Sequence, residues 1–188
     1  SEFTALDYSE EGCALLRDYA TERGLKNIHT VCADMFDPEP SPRKFDLVYS
    51  QGVVEHFTDL AGTMVALQKF LTNEGRLVTL IPNMAGVLGV LTRKLNRAVY
   101  DIHVPHDLES FVNGHKSAGL EVLAAGYLGS TNFGVLSSCF ECQSGIKWQL
   151  YKQLSRLSKA LWAFEEKAFQ LPSSRMFSPY IYAISKKL

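Results

Sequence analysis

The sequence predicts an α/β fold with a mostly parallel sheet. Helix and strand patterns alternate over the first 126 residues, and polar residues follow three successive apolar runs. The 188 residues, 46% of them hydrophobic, suit a single domain over 1–188. With 19 basic and 20 acidic side chains, the net charge of -1 lacks the basic excess of nucleic-acid-binding proteins, so we expect no nucleic-acid partner.

The predicted strands are short apolar runs bounded by turn residues. They cover 4–7, 27–32, 45–50, 76–82, 120–128 and 180–185. Helices are predicted over 9–24, 59–71, 107–118 and 146–169. Ser9 and Asp107 are typical N-caps, and Gly24 and Gly119 are typical helix ends. A proline-rich loop at 38–42 returns the chain to the third strand, and 73–75 forms a turn before the fourth.

Two segments interrupt this alternation and are predicted to be insertions that form lid or cap elements. Residues 83–105 are first apolar and then basic. Their part at 83–99 indicates a lid or, alternatively, a membrane-docking surface, and the lid is favoured because the apolar part is short. Residues 129–172 contain the long amphipathic helix. Its apolar face is formed by Leu150, Leu154, Leu157, Leu161, Phe164 and Ala168. Packing of this face on the sheet is the default, and capping the pocket or pairing two subunits are the alternatives.

The four cysteines give no strong signal for a metal or redox centre. Cys139 and Cys142 have CxxC spacing, but no second CxxC or HxxxH pair accompanies them, so we expect two buried thiols and assign no metal ligands. No targeting signal is recognisable, and the longest apolar stretch, 84–91, is shorter than the roughly 20 residues that span a bilayer. A cytoplasmic location is therefore the expectation.

Candidate ligand-binding residues lie at the carboxyl ends of the first three strands, where open α/β sheets bind ligands. These are Asp7, Asp34 and Ser50. A strand-end carboxylate such as Asp7 can accept hydrogen bonds from both hydroxyls of a ribose, although a helix-capping role is the alternative. Asp34 can accept from an adenine amino group, with Met35 and Phe36 beside the ring, although a solvated loop acid is the alternative.

Four stretches together resemble the class I methyltransferases that use S-adenosylmethionine. They read ALDYS (5–9), CADMF (32–36), FDLVYSQGVVEHF (45–57) and GRLVTLIP (75–82). The resemblance covers about 4–128 and also fits the last strand, and it implies a Rossmann-like sheet with an antiparallel C-terminal strand. The sequence VEH at 54–56 is its most telling part and resembles the methyltransferases of small molecules.

The resemblance also implies a role for each matching position. The cofactor-binding residues are expected to be Asp7 and Tyr8 at the ribose, Asp34 and Met35 at the adenine, and Ser50, Gln51, Gly52 and His56 at the methionine end. A hydrogen-bonded structural histidine is the alternative for His56. His103 or His106 is expected to be the catalytic base toward a hydroxyl acceptor, with a purely structural loop role as the alternative.

The family's first strand and glycine-rich turn have no counterpart before Asp7, because only six residues precede it. The expectation is therefore an N-terminally truncated domain, with Ser1, Glu2 and Phe3 as a cloning remnant. Strand exchange in a homodimer, dimerisation through the helix at 146–169, or direct closure of the sheet are alternatives. We expect weak or absent cofactor binding by this chain alone.

The expected function is S-adenosylmethionine-dependent O-methylation of a small molecule, with N- or C-methylation as variants. A non-catalytic interaction module derived from a methyltransferase is the first alternative. A nicotinamide-dependent oxidoreductase is the second, since it would also need an acid after its second strand, but it does not explain the Glu55-His56 pair.

Overall fold

The structure, a computed structural model, describes residues 2–37 and 43–188. Contacts divide the chain into two compact units, Ser1–Lys44 and Phe45–Leu188, and each has its own sheet. The proline-rich loop predicted at 38–42 lies outside the described residues. That one domain includes both units stays a prediction.

The first unit is a β–α–β motif with a parallel pair of strands. It consists of β1 (Phe3–Asp7), α1 (Glu10–Glu22) and β2 (Ile28–Cys32). The Ser9 hydroxyl accepts a hydrogen bond from the Gly12 N–H at 3.1 Å and begins α1. Gly24, with φ of 64°, allows the left-handed turn that follows the helix. The predicted cap and stop of this helix are confirmed.

The second unit contains a four-stranded mixed sheet. Its elements are β3 (Phe45–Gln51), a 3-10 turn (Val54–His56), α2 (Leu60–Gln68), β4 (Leu71–Pro82), α3 (Val87–Leu95), α4 (Arg97–Asp101), α5 (Leu108–Ser117), β5 (Leu120–Leu128), a 3-10 segment (Phe133–Cys139), α6 (Gly145–Lys167) and β6 (Tyr180–Lys187). The strand order is β3-β4-β6-β5, in which β3 and β4 are parallel and β6 is antiparallel to both of its neighbours. The α/β class and the antiparallel C-terminal strand are confirmed.

The core of the second unit joins α2 and α5 to the sheet. Met64, Leu77, Phe111 and Ile181 are at most 1% exposed. Burying side chains of this size contributes about 1.5–3 kcal/mol each. The core also contains a polar link, because the buried His115 of α5 hydrogen-bonds to hydroxyls of β4 and β6. Helix and sheet are therefore fixed in register by both apolar packing and specific hydrogen bonds.

The predicted end of the second helix and the predicted start of the fourth strand are wrong. The helix ends at Gln68 rather than residue 71, and β4 already begins at Leu71. The predicted turn at 73–75 lies inside this strand, because a register irregularity lets Leu71 pair with Phe45 while Arg76 pairs with Leu47. The irregularity accommodates the extra residues without ending the pairing.

The prediction that α6 packs its apolar face on the sheet was also wrong. The helix packs mainly on the 3-10 segment, and Leu150, Leu157 and Phe164 of the predicted face are 60%, 49% and 47% exposed. The buried residue on α6 is Ser158, whose hydroxyl accepts a hydrogen bond from the Phe133 N–H at 2.9 Å. The helix therefore contacts the irregular segment both through a buried hydrogen bond and through apolar side chains such as Tyr151.

The two insertions meet in a small hydrophobic cluster of Leu88, Leu136 and Cys139. All four cysteines are free, and Cys139 is buried as predicted, but Cys142 is exposed, so the expectation of two buried thiols was wrong. Cys142 lies outside the hydrophobic cluster that buries Cys139. Among the described residues, no helix combines the length and the apolar character that crossing a bilayer requires.

Candidate active site

The two candidate acids of the first unit lie at the same end of its strand pair. Asp7 pairs in register with Cys32, and Asp34 follows two residues later. Asp7 Oδ1 accepts from the Ser9 N–H and Asp34 Oδ1 from the Phe36 N–H, both at 2.9 Å. Both acids are exposed, and neither forms a salt bridge among the described residues. Each carboxylate is thus held by one backbone N–H and can accept further hydrogen bonds.

The neighbouring predicted residues of this unit differ in exposure. Tyr8 is 84% exposed and Phe36 is 41% exposed, whereas Met35 is half-buried. Large exposed side chains next to the two acids suit contact with a ligand ring better than core packing.

In the second unit, the candidate residues begin where β3 ends. Ser50 is 7% exposed, and its Oγ has no hydrogen-bond partner among the described residues. Gln51 is exposed and accepts a hydrogen bond from the Tyr49 hydroxyl at 2.6 Å. Gly52 has φ of 67°, a left-handed conformation that favours glycine, and its N–H donates to the Leu80 carbonyl at 3.0 Å. The chain therefore turns sharply out of the strand just after an unsatisfied buried hydroxyl.

The turn leads into a cluster of three ionisable side chains, Glu55, His56 and His103. One potential ligand atom from each lies within 4.8 Å of the other two. The rings of His56 and His103 are 4.6 Å apart between centroids. Backbone hydrogen bonding supports this arrangement, since the Val104 N–H donates to the Glu55 carbonyl at 2.7 Å.

Burial shifts the pKa of several groups in this region. It raises the pKa of Glu55, which is 1% exposed, above the usual value of a glutamic acid. Burial also lowers the pKa of His103, with a partly opposing effect from its hydrogen bond to Val99. Burial lowers the pKa of His106, whose Nε2 is enclosed and has no partner among the described residues. These shifts favour the neutral forms of all three groups.

The second unit also has an open depression of about 420 Å³ at the start of α5. Its wall includes Asp107, Lys116, Tyr127 and Arg175. It contains none of the predicted site residues, so the strand-end groups remain the candidate site.

The structure thus places Asp7 and Asp34 at one end of the β1/β2 pair, and it brings His56 and His103 together beside Glu55. Glu55 also belongs to the cluster with His56 and His103, although the VEH motif predicts no role for it. The available signal was an adjacent Glu-His pair shortly after a strand end. Its proximity to His103 was not predictable, because 46 positions separate that residue from His56.

Comparison with known proteins agrees with the sequence resemblance. A family model described as a methyltransferase domain matches residues 1–79. No curated protein matches the chain. Similar solved structures include the 4+2 cyclase SpnF, the mitomycin 7-O-methyltransferase MmcR, and the geranyl diphosphate C-methyltransferase of Streptomyces coelicolor A3(2) in complex with Mg²⁺, geranyl diphosphate and S-adenosyl-L-homocysteine.

The similarity to these three structures is one of fold. Their TM-scores are 0.64, 0.62 and 0.59, and their sequence identities are 16%, 13% and 13%. The matches cover 99%, 100% and 98% of this chain, which spans 66%, 42% and 64% of theirs. The class I methyltransferase fold that the resemblance implies is confirmed.

Proposed function

We propose that this chain, a domain of the S-adenosylmethionine-dependent methyltransferase type, methylates a small molecule on a hydroxyl group. The observation that carries the proposal is the parallel β1/β2 pair, which delivers Asp7 and Asp34 at one end. This pair falls within the residues that match the methyltransferase family model. Both carboxylates are exposed and can accept hydrogen bonds from a ligand.

We assign the parts of the cofactor to the residues of each unit separately. In the first unit, Asp7 binds the ribose hydroxyls with Tyr8 beside it, and Asp34 and Met35 contact the adenine. In the second unit, the methionine end is assigned to the residues at the end of β3 and in the turn after it, namely Ser50, Gln51, Gly52 and His56. The unpartnered Ser50 Oγ supports this assignment, because a buried hydroxyl without a hydrogen bond costs about 1–3 kcal/mol.

The reaction is an in-line displacement at the methyl carbon. S-adenosylmethionine held by these residues would supply an activated methyl group to the acceptor oxygen and would leave as S-adenosylhomocysteine. Because the sulfonium is already a good leaving group, alignment is the main contribution of the protein and can supply roughly 7–11 kcal/mol. The hydroxyl proton passes to a base.

His103 and His106 are the candidates for that base. The Nδ1–H of His103 donates to the Val99 carbonyl at 2.7 Å, which leaves Nε2 as the proton acceptor. Nε2 of His106 is enclosed, so this residue can act only if its surroundings open. Turnover by His103→Gln and His106→Gln separates them, because only loss of the base lowers kcat by about 10²–10⁴-fold.

Binding of S-adenosylhomocysteine tests the cofactor assignment directly. Saturation-transfer NMR is suited to the weak affinity that the sequence leads us to expect of this chain. Asp7→Asn should weaken binding at least about tenfold, since a hydrogen bond to a charged group contributes about 1.5–3 kcal/mol. Asp18→Asn is the matched control, because Asp18 is an exposed acid of the same unit. Equal weakening of binding by Asp7→Asn and Asp18→Asn, or no effect of either substitution, would contradict the assignment.

A non-catalytic binding module is the second candidate, and one observation favours it. Leu47 and Tyr49 lie two residues apart on the edge strand β3 and are 59% and 57% exposed, so this strand offers an apolar patch to a partner. Absence of cofactor binding would favour this function. The oxidoreductase alternative has no counterpart among the proteins compared above.

A further inference from the structure

The cluster of Glu55, His56 and His103 has the composition of a metal site. Two imidazoles and one carboxylate come from two segments that the fold brings together, the 3-10 turn at Val54–His56 and the loop after α4. Their potential ligand atoms lie within 4.8 Å of one another. Ligands bonded tetrahedrally at about 2.1 Å are about 3.4 Å apart, so an adjustment of up to about 1.4 Å would close the site.

Hydrogen bonds to the protein backbone fix which nitrogen of each ring is available. His56 Nδ1 contacts the Ile102 carbonyl at 2.8 Å, and His103 Nδ1 contacts the Val99 carbonyl at 2.7 Å. A carbonyl oxygen only accepts, so both Nδ1 atoms carry the proton and both Nε2 atoms carry the free lone pair. Metal-binding histidines almost always donate their other N–H to a carbonyl or carboxylate in this way.

Glu55 supplies an independent observation that points to a ligand. The side chain is 1% exposed, and its Oε2 has no hydrogen-bond partner among the described residues. No described cationic side chain of Lys or Arg forms a salt bridge with it. Buried polar side-chain atoms normally have a partner, so the enclosed and unpartnered Oε2 indicates that this position takes a ligand. One ring nitrogen of each histidine lies within 4.8 Å of a carboxylate oxygen of Glu55.

We propose that Glu55, His56 and His103 bind a divalent first-row transition-metal ion, of which Zn²⁺ is the best match. Imidazole ligands suit Zn²⁺ and its neighbours, whereas Mg²⁺ and Ca²⁺ prefer oxygen. Three protein ligands leave one tetrahedral position open, which is the arrangement of catalytic rather than structural zinc.

The open coordination position could bind the methyl acceptor, an inference that rests on the proposed function. A hydroxyl of the methyl acceptor bound there would release its proton to solvent more readily, because the metal would stabilise the alkoxide. His103 would then be a ligand, and the metal would supply the activation otherwise assigned to this residue as a base. Metal binding itself is independent of methyl transfer, so failure of one proposal is distinguishable from failure of the other.

Titration of the metal-free chain with Co²⁺ and Zn²⁺ tests the site without any substrate. Co²⁺ reports tetrahedral coordination by its visible absorption, and competition with a chromophoric chelator gives the affinity for Zn²⁺. We expect one equivalent to bind. His56→Asn and His103→Asn should each weaken binding at least tenfold, since even loss of a hydrogen bond to a ligand costs about 10–100-fold. His29→Asn is the matched control, because His29 is an exposed histidine of the first unit and contacts Glu2 of that same unit.

Two results would overturn the proposal. One is the lack of a visible Co²⁺ spectrum together with no Zn²⁺ binding at micromolar concentrations. The other is equal loss of affinity in His29→Asn and His103→Asn, which would mean that any surface histidine binds the ion. Glu55→Gln keeps the shape of the side chain and should also abolish the spectrum. Because Glu55 is buried, circular dichroism must first show that this variant is folded; if it is not, the two exposed or half-buried histidines decide the question.

Discussion

Acid should destabilise the second unit through His115, before the carboxyl groups of the chain titrate. The side chain is 0% exposed, and burial lowers its pKa from 6.5 to about 4. Its Nε2 lies 2.9 Å from Thr79 Oγ1 and its Nδ1 3.0 Å from Ser185 Oγ. These hydroxyls satisfy the neutral ring, but a protonated ring would carry a charge in an apolar interior next to Phe111.

The sign and size of the effect follow from proton linkage. The unfolded chain holds the proton below about pH 6.5, and the folded chain takes it up only below about pH 4. Stability is therefore complete above pH 6.5 and falls as the pH drops toward 4. Between pH 7 and pH 5 the loss from this one residue is about 2 kcal/mol, and it approaches about 3 kcal/mol at lower pH.

Urea unfolding from pH 5 to pH 7 measures this loss, with the fluorescence of Trp148 and Trp162 on α6 as the probe of the second unit. His115→Gln retains hydrogen-bonding capacity but cannot titrate, so its stability should vary by less than half as much over this range. His29→Gln removes an exposed histidine and should behave like the unchanged chain. Equal pH dependence for His115→Gln and the unchanged chain would refute the argument.

Two further substitutions test the turn after β3 and the start of α5. Gly52→Ala should lower the free energy of unfolding by about 1–2 kcal/mol, because φ is 67° there; an added Cβ meets nothing closer than 3.8 Å, so an unchanged stability in urea would mean that the backbone relaxes freely. Asp107→Ala should cost about 1 kcal/mol through loss of the capping box with Ser110, whose N–H donates to Asp107 Oδ1 at 2.9 Å. Asp107→Asn keeps the cap and should restore most of the melting temperature; if both variants melt alike, the cap does not contribute.

Local signals explain why most of the fold was predictable. Ser9, Asp59 and Asp107 each cap the helix that follows, and the left-handed glycines at 24 and 119 follow the ends of two helices. The start of β4 was not predictable in this way, because it is extended by pairing with β3 across a register irregularity rather than by its own sequence. The orientation of α6 differs from the prediction for a related reason: Leu150, Leu157 and Phe164 of its apolar face are exposed, and its buried residue, Ser158, bonds to a segment that is distant in the sequence.

The candidate site shows the same division between local and long-range information. Asp7, Asp34 and Ser50 were found because each directly follows a strand, and the ends of strands are visible in a sequence. The cluster around Glu55 was not found, because it depends on a hydrogen bond from His56 to the carbonyl of Ile102 and on another from Val104 to Glu55. These bonds join two segments that are distant in the sequence, and nothing in either sequence predicts their contact.

The same two hydrogen bonds determine how the cluster should respond to substitutions in the loop. Because the loop makes both bonds through its own backbone atoms, a substitution such as that of the Ile102 side chain leaves both bonds in place. Ile102 is 60% exposed, so its side chain adds little burial either. The positions of the two imidazoles are therefore set by the backbone path between α4 and α5, and a shift of that path would separate them even with every ligand residue intact. A site built on backbone attachment keeps its geometry through surface substitution and loses it through insertion or deletion in the loop.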